Sequence, residues 1–241
     1  MKIDILTLFP EVIEAVLGSS IIGRGREKGL LDIAAHNIRD YTPDKHGRTD
    51  DYPYGGGRGM VMQCEPLFRC LEAVRGDEPV HTVMMSAQGA PFDQQKAREL
   101  LARGRFIIVC GHYEGIDRRF IDRCVDEEIS LGDFVLTGGE IAAMAVADAV
   151  CRMVPGVLAE DVCFTDESHY SGLLEYPQYT RPEEWRGQRV PDILLSGHHA
   201  NIEKWRRRQS LLLTRTRRPD LFERLDLSPE DQKLLKEEES C

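Results

Sequence analysis

The stretch "SLGDFVLTGGEIAAM", Ser130 to Met144, sets three glycines around a short apolar run and passes directly into an alanine-rich helical pattern. Glycine has no Cβ and reaches dihedrals closed to other residues, so a glycine before the run and two after it let something lie against bare main chain. The plainer alternative is a strand between two tight turns. As a strand, "DFVLTG" (133–138) would be the last of five, after "KIDILTLF", "LLDIAAHNI", "HTVMMSA" and "RFIIVCG". Helices are predicted to begin at Pro10, near Glu65, near Asp93, near Asp117 and near Gly139. Such alternation implies an α/β fold with a mostly parallel sheet.

The helix after Gly139 has an unusual charge pattern. On a helical wheel Asp148 falls about 80° and Arg152 about 120° from Glu140, so roughly two thirds of the circumference is uncharged. Such a helix is sandwiched inside a domain or covered by a second copy of the chain, and a homodimer interface is the expectation. Beyond Pro155, "GVLAEDVCFTDESHYSGLLEYPQYTRPEEW" has no sustained period and reads as a linker. Helical pattern resumes in "NIEKWRRRQSLLLTRTRR", where Ile202, Trp205, Leu212 and Leu213 are expected to face a small core, and again at Ser228, Pro229, Glu230 and Asp231. A second, small helical domain is therefore predicted.

The formal net charge of −10 argues against a polyanionic partner, but its distribution does not. From Arg181 to Arg218 ten Lys or Arg face four acids, a segment of +6 that leaves −16 for the remainder. A basic surface on an acidic protein suits phosphate contacts. Seven cysteines form no CxxC pair, so reduced thiols and no zinc site are expected. No basic-then-apolar leader and no membrane-length apolar run occur, which points to a cytoplasmic protein with no membrane partner. There is no P-loop, HExxH or GxSxG. "GRGREKG" (23–29) has the wrong spacing for a dinucleotide loop and precedes a strand where it should follow one. His198 and His199 sit at a helix start and cannot both point at one metal.

What remains is a set of glycine-flanked strand ends: "MMSAQG" (84–89), "VCGHYEGID" (109–117) and "ISLGDFVLTGGE" (129–140). Loops at the carboxyl ends of strands are where an α/β sheet binds its ligand. Their amides and carbonyls can read a purine edge while apolar side chains clasp the ring.

With "FPE", "DDYPYGGGRGM", "RMVPGVL", "GLLEYPQYTRPEEW", "VPDILLSGHH" and "IEKWRRRQSL…TRRPDL", these loops make the chain resemble, nearly end to end, the bacterial tRNA (guanine-N1)-methyltransferases of the TrmD type, members of the SPOUT superfamily. The resemblance implies a mostly parallel sheet carrying a deep trefoil knot, S-adenosylmethionine as methyl donor and a homodimer with sites at the subunit interface. It also implies transfer to N1 of guanosine 37 of tRNA, and magnesium as an assisting ion, for which the sequence offers no ligand cluster. It divides the chain into a cofactor-binding domain (1–160), a flexible linker (161–175) and a helical tRNA-binding domain (176–241).

The resemblance assigns the donor to Gly111, Ser130, Leu131, Gly132, Asp133, Phe134, Val135 and Leu136, with Met85, Ser86, Tyr113, Glu114, Gly115, Gly138 and Gly139 close by. N1 of guanine carries a proton, so the reaction needs a base and a cation to steady charge on O6. Arg152 matches the family's arginine. The family's aspartate, immediately before a serine in "FTDESHYSG", is replaced by Glu167, which leaves Glu167 and its neighbour Asp166 as alternative bases. Ala142 stands where the family has proline. Two other readings stay open at this level: a SPOUT enzyme acting on another RNA nucleotide, and a noncatalytic RNA-binding module.

Overall fold

The structure is a computed structural model that describes residues 1–159, 164 and 167–236. The chain divides into two compact units, Met1–Asp161 and Val162–Cys241.

The first unit is a five-stranded, all-parallel α/β sheet in the order β2-β1-β6-β5-β7. Its strands are β1 (Lys2–Thr7), β2 (Asp32–Asn37), β5 (His81–Pro91), β6 (Arg105–Cys110) and β7 (Glu127–Ser130), with the short antiparallel pair β3 (Asp50–Asp51) and β4 (Val61–Met62) beside them. In "KIDILT" and "RFIIVC" every residue after the first is buried. Continuous apolar runs of this kind belong in central strands covered on both faces. Helices α3 (Cys64–Arg75) and α5 (Arg118–Cys124) cover one side of the core, burying Leu67, Cys70, Leu71 and Phe120 against Leu6, Ile107 and Val109. Helices α1 (Pro10–Leu17), α4 (Gln94–Arg103) and α6 (Glu140–Cys151) pack together, with α6 also contacting β1 and β6. All five predicted helix starts are realised.

Three expectations are corrected. "DFVLTG" is not a strand: β7 ends at Ser130, and the following residues form an irregular loop in which Val135 is 85% exposed. The strand is instead the less apolar "EEIS" just before the glycine-bounded run, selected by pairing with β5. "GRGREKG" lies largely in a helix that the pattern missed, α2 (Ser20–Glu27), where Gly23 packs so closely on the carbonyl of Gly18 that no Cβ would fit. In the second unit the fully buried positions of the helix His199–Arg217 are Ser210, Leu211 and Thr214, while Ile202, Trp205, Leu212 and Leu213 are half-buried around them.

Helix α6 is sandwiched within its unit, burying Ala142, Ala143, Val146, Ala147, Val150 and Cys151 and leaving Ile141 out. Among the described residues no helix is long and apolar enough to cross a membrane. Cys64, Cys70, Cys110, Cys124 and Cys151 are free thiols, and burial pushes Cys151 up to about 12.

The second unit carries a two-stranded hairpin (Glu184–Trp185 with Gln188–Arg189) and the helices Asp192–Leu195, His199–Arg217, Pro219–Phe222 and Pro229–Lys236. The last begins with a reciprocal cap, Ser228 N–H donating to Asp231 Oδ2 at 3.2 Å and Asp231 N–H to Ser228 Oγ at 3.1 Å. The buried Asp231 carboxylate also receives Arg207 through Nε at 2.7 Å and Nη2 at 2.9 Å. This bidentate bond holds the Asp231 carboxyl below the usual range.

A carboxylate with a depressed folded pKa stabilises above its unfolded pKa and ceases to as pH falls through the folded value. Asp231→Asn should therefore cost about 1.5–3 kcal/mol at neutral pH, a gap that closes below about pH 4. Both tryptophans, Trp185 and Trp205, lie in the second unit, so urea unfolding followed by their fluorescence measures it.

Candidate functional site

Strands β6, β5 and β7 are neighbours, so the loops that follow them meet at one end of the sheet. Strand β5 helps by breaking register: Met85 and Ala90 both pair with Ile129, and the intervening Ser86–Gly89 bulges out. The three loops enclose a cleft of about 390 Å³. Of the residues assigned to the donor, Met85, Ser86, Gly111, Tyr113, Glu114, Gly115, Ser130, Leu131, Gly132, Phe134, Val135, Leu136, Gly138 and Gly139 line it. Asp133 does not; it is exposed in the same loop. Sequence reasoning missed Gln88, Thr137 and Glu128 on the lining, because nothing in their identity marks them.

The loop after β6 is fixed by β4. Glu114 N–H donates to Met60 O at 2.9 Å, Met62 N–H to Gly115 O at 2.9 Å and Asp117 N–H to Met62 O at 3.0 Å. Tyr113 is held at φ +60° and Gly115 at φ +125°, so the chain turns sharply beside the cleft. Gly59, at φ +80°, packs against the Glu114 side chain, which joins the glycine-rich segment Tyr52–Met60 to the cleft wall. In the loop after β7, Ser130 Oγ donates to Gly132 O at 3.0 Å and accepts from Gly132 N–H at 3.1 Å.

Between the two loops lies a buried polar cluster that the sequence did not reveal. Glu140, 6% exposed, receives Thr7 Oγ1–H at 2.6 Å on one oxygen and lies 2.7 Å from His112 Nε2 on the other. The carboxylate sits in the first turn of α6, where the helix dipole favours negative charge. Burial, and then the Glu140 carboxylate, push the Cys110 thiol well above its usual range. The His112 ring packs on Phe9 with centroids 4.9 Å apart.

This cluster explains two of the glycines. A Cβ on Gly138 would collide with the His112 imidazole and the Glu140 carboxylate, and one on Gly139 would lie 2.8 Å from Cys110 Cα. Gly139 N–H also donates to Gly111 O at 2.9 Å. So Gly138 and Gly139 are required by the protein's own packing, a reason independent of any ligand. Gly115 leaves open space on the cleft, a Cβ on Gly111 would rest in ordinary contact with Ile116 at 3.5 Å, and Gly132 faces Phe134.

Arg152, expected to steady charge on O6, and the two candidate bases are described each within its own unit. Arg152 is the half-buried C-cap of α6, its N–H donating to Asp148 O at 3.0 Å. Glu167 belongs to the second unit, at the start of a turn in which its carbonyl accepts from Tyr170 N–H at 3.4 Å, followed by the bonds His169 N–H to Leu173 O at 2.7 Å and Glu175 N–H to Ser168 Oγ at 2.9 Å. Asp166 lies outside the described residues.

A parallel sheet with a main-chain-lined cleft at the carboxyl ends of adjacent strands defines an α/β ligand-binding protein of the open-sheet class. Comparison with known proteins narrows the class to one family. The model for tRNA (Guanine-1)-methyltransferase TrmD matches residues 1–224. A Clostridium acetobutylicum protein named tRNA (guanine-N(1)-)-methyltransferase is 54% identical over 239 residues, covering 99% of this chain and 98% of its own. One of the same name from Clostridium perfringens strain ATCC 13124 is 56% identical over 236 residues, covering 98% of this chain and 99% of its own. The chain belongs to the TrmD family of tRNA (guanine-1)-methyltransferases.

Two substitutions separate the roles of the glycines. Gly139→Ala forces backbone apart and should destabilise the first unit by about 1–3 kcal/mol, by calorimetry, whereas Gly115→Ala meets nothing within 4 Å and should cost only the left-handed backbone strain, about 1–2 kcal/mol.

Proposed function

We propose that the protein transfers a methyl group from S-adenosylmethionine to N1 of guanosine 37 in tRNA, the reading supported above all by the end-to-end match to the TrmD family. The cleft suits the donor: its volume lies in the range of small-ligand sites, and Gly111, Gly115 and Gly132 let a nucleoside approach main chain without meeting a Cβ. Leu131, Phe134 and Leu136 clasp the adenine, with amides and carbonyls of the same loops at its edge. When bound, the donor supplies an electrophilic methyl group on a sulfonium.

The chain's own residues supply the rest. A carboxylate removes the N1 proton as the new N–C bond forms and the sulfur–carbon bond breaks, and Arg152 stabilises the charge that develops on O6. Glu167 is the base in this proposal, with Asp166 as the alternative; the extra methylene of glutamate is absorbed by the turn that carries it. Among the described residues no group of three His, Cys, Asp or Glu side chains is gathered to hold a metal ion; magnesium stays in the reading as an assisting ion with no residue assigned to it. The basic segment Arg181–Arg218 binds the tRNA backbone. The proposal includes the knotted path of the SPOUT fold in the first unit, the three-part division at 160 and 175, and action in the cytoplasm.

It also includes a homodimer with sites at the interface. Phe9, Val12 and Val16 on or beside α1, Ile21 on α2 and Ile141 on α6 are exposed by 37–56%, and α1 packs against α6, so they form one apolar face. Val16→Glu should convert a dimer to a monomer in sedimentation at micromolar concentration; a wild-type monomer would remove the dimer.

Incubation with labelled S-adenosylmethionine and tRNA bearing G or A at position 37 tests the reaction itself. Label should enter only the G37 transcript, and Glu167→Gln and Arg152→Ala should each lower kcat by about 10²–10⁴. Equal labelling of both transcripts would overturn the target. Loss of activity in Asp166→Asn with Glu167→Gln active would transfer the role to Asp166.

A further inference from the structure

The second unit holds a second cleft, of about 530 Å³, to which the proposed function gives no role beyond the general attraction of the basic segment for the tRNA backbone. It is formed by the segment Tyr176–Glu183, the end of the hairpin, the helix Asp192–Leu195 and the first turns of the helix His199–Arg217. Its walls are aromatic and cationic. Tyr179 is 49% exposed, and its ring centroid lies 6.4 Å from that of Trp205 at an interplanar angle of 54°. The Arg206 guanidinium stands 4.8 Å over the Tyr176 ring. Nearby on the hairpin, Arg186 stands 4.9 Å over Trp185, itself 59% exposed.

Trp205 also borders a second recess, of about 250 Å³, lined by Lys204, Arg208 and Lys233 against the single carboxylate of Glu230. The Nε of Arg208 is buried there without a hydrogen-bond partner among the described residues. A buried guanidinium N–H without an acceptor is uncommon in a finished structure. Thus one indole separates an aromatic cleft from a recess carrying three cations and one anion.

That juxtaposition selects a ligand. A purely apolar partner would cover the exposed polar side chains of Thr180 and Arg181 on the wall of the aromatic cleft and offer them no hydrogen bond, while Gln178 and Glu183 there are already engaged by Glu175 and Arg189. A double helix presents its bases stacked and unavailable, and is met by phosphate contacts alone. An unpaired nucleotide fits both chambers, because its base has a π-face and hydrogen-bonding edges while its backbone carries the anion. The 54° tilt means that a base stacks on one ring, with the other ring at its edge.

We propose that this two-chambered site takes an unpaired nucleotide of the RNA substrate, its base in the Tyr176–Tyr179–Trp205 cleft and an adjoining phosphate in the Lys204–Arg208–Lys233 recess. The proposal rests on the reading of the chain as an RNA-modifying enzyme and assigns the second unit recognition of an unpaired base in addition to general backbone attraction.

The test uses the full-length protein carrying Trp185→Phe, which leaves Trp205 as its one tryptophan. A short unstructured oligoribonucleotide, and the same strand annealed to its complement, are titrated while Trp205 fluorescence is followed. The single strand should quench Trp205 and bind more tightly than the duplex. Adding Tyr179→Ala should weaken single-strand binding about 5- to 150-fold, the range of one lost base–aromatic stack, while Tyr179→Phe should retain it. Lys204→Ala with Lys233→Ala should flatten the salt dependence of binding by about one to two units of slope. Single-strand affinity unchanged in Tyr179→Ala, or equal binding of the duplex, would overturn the site. Titration of the wild type with S-adenosylhomocysteine and the G37 labelling assay report separately on the methyltransferase reading: their failure with stacking intact would refute that reading alone, and their success with stacking absent would refute only this site.

Discussion

The architecture of the first unit turns on a carboxylate buried where two strand-end loops meet. Among the described residues Thr7, His112 and the start of α6 replace the water that Glu140 gave up. A buried carboxylate deprived of partners is costly by several kcal/mol, so each of these groups is fixed in place by the others. Thr7 ends β1, His112 follows β6 and Glu140 opens α6, and this one cluster therefore registers the sheet, the loop after β6 and the helix after β7 against one another. Gly138 and Gly139 are its steric consequence, because any side chain there would push the imidazole and carboxylate apart or lift the helix off Cys110.

The cleft inherits its shape from that constraint. Gly111, Tyr113, Glu114 and Gly115 are placed by the His112 anchor and by the hydrogen bonds to Met60 and Met62, while Leu136 to Gly139 are placed by the start of α6. A site assembled from main chain needs little rearrangement to present its amides and carbonyls, which is the usual advantage of pre-organisation. The strain is local: among the described residues Tyr113 is one of four non-glycine residues at positive φ, and it lies on the cleft wall.

Much of this was legible in the sequence, for identifiable reasons. The buried strands β1 and β6 are continuous apolar runs, and helix starts at Pro10, Asp93 and Asp117 carry recognisable cap chemistry, with Asp93 accepting from Lys96 N–H and Asp117 from Arg119 N–H. Strand β7 was misplaced because "EEIS" is half charged and owes its conformation to pairing with β5, a non-local cause that periodicity cannot register. Helix α2 was missed because two glycines lower its propensity, and close packing on α1 overrides them. The glycine-flanked loops were recognised as a group, yet the contact between His112 and Glu140, 28 positions apart, depends on the fold and on no local pattern.

Charge placement gives the proposed reaction its direction. Two carboxylates, Glu114 and Glu128, line the donor cleft, and the single arginine on its lining, Arg118, is engaged by Asp122 at 2.6 Å and by Glu128 at 3.5 Å. A cleft of this sign favours a sulfonium over a neutral thioether, so in the proposed reaction the electrostatics that would hold the donor would also weaken the hold on its product. The basic segment Arg181–Arg218 belongs to the second unit, where Lys204, Arg206 and Arg208 border the clefts around Trp205. Cationic donor and anionic nucleic acid are thus drawn to surfaces of opposite sign. A chain of net charge −10 can accommodate both only by segregating its charges, and the +6 segment within it is that segregation written in sequence.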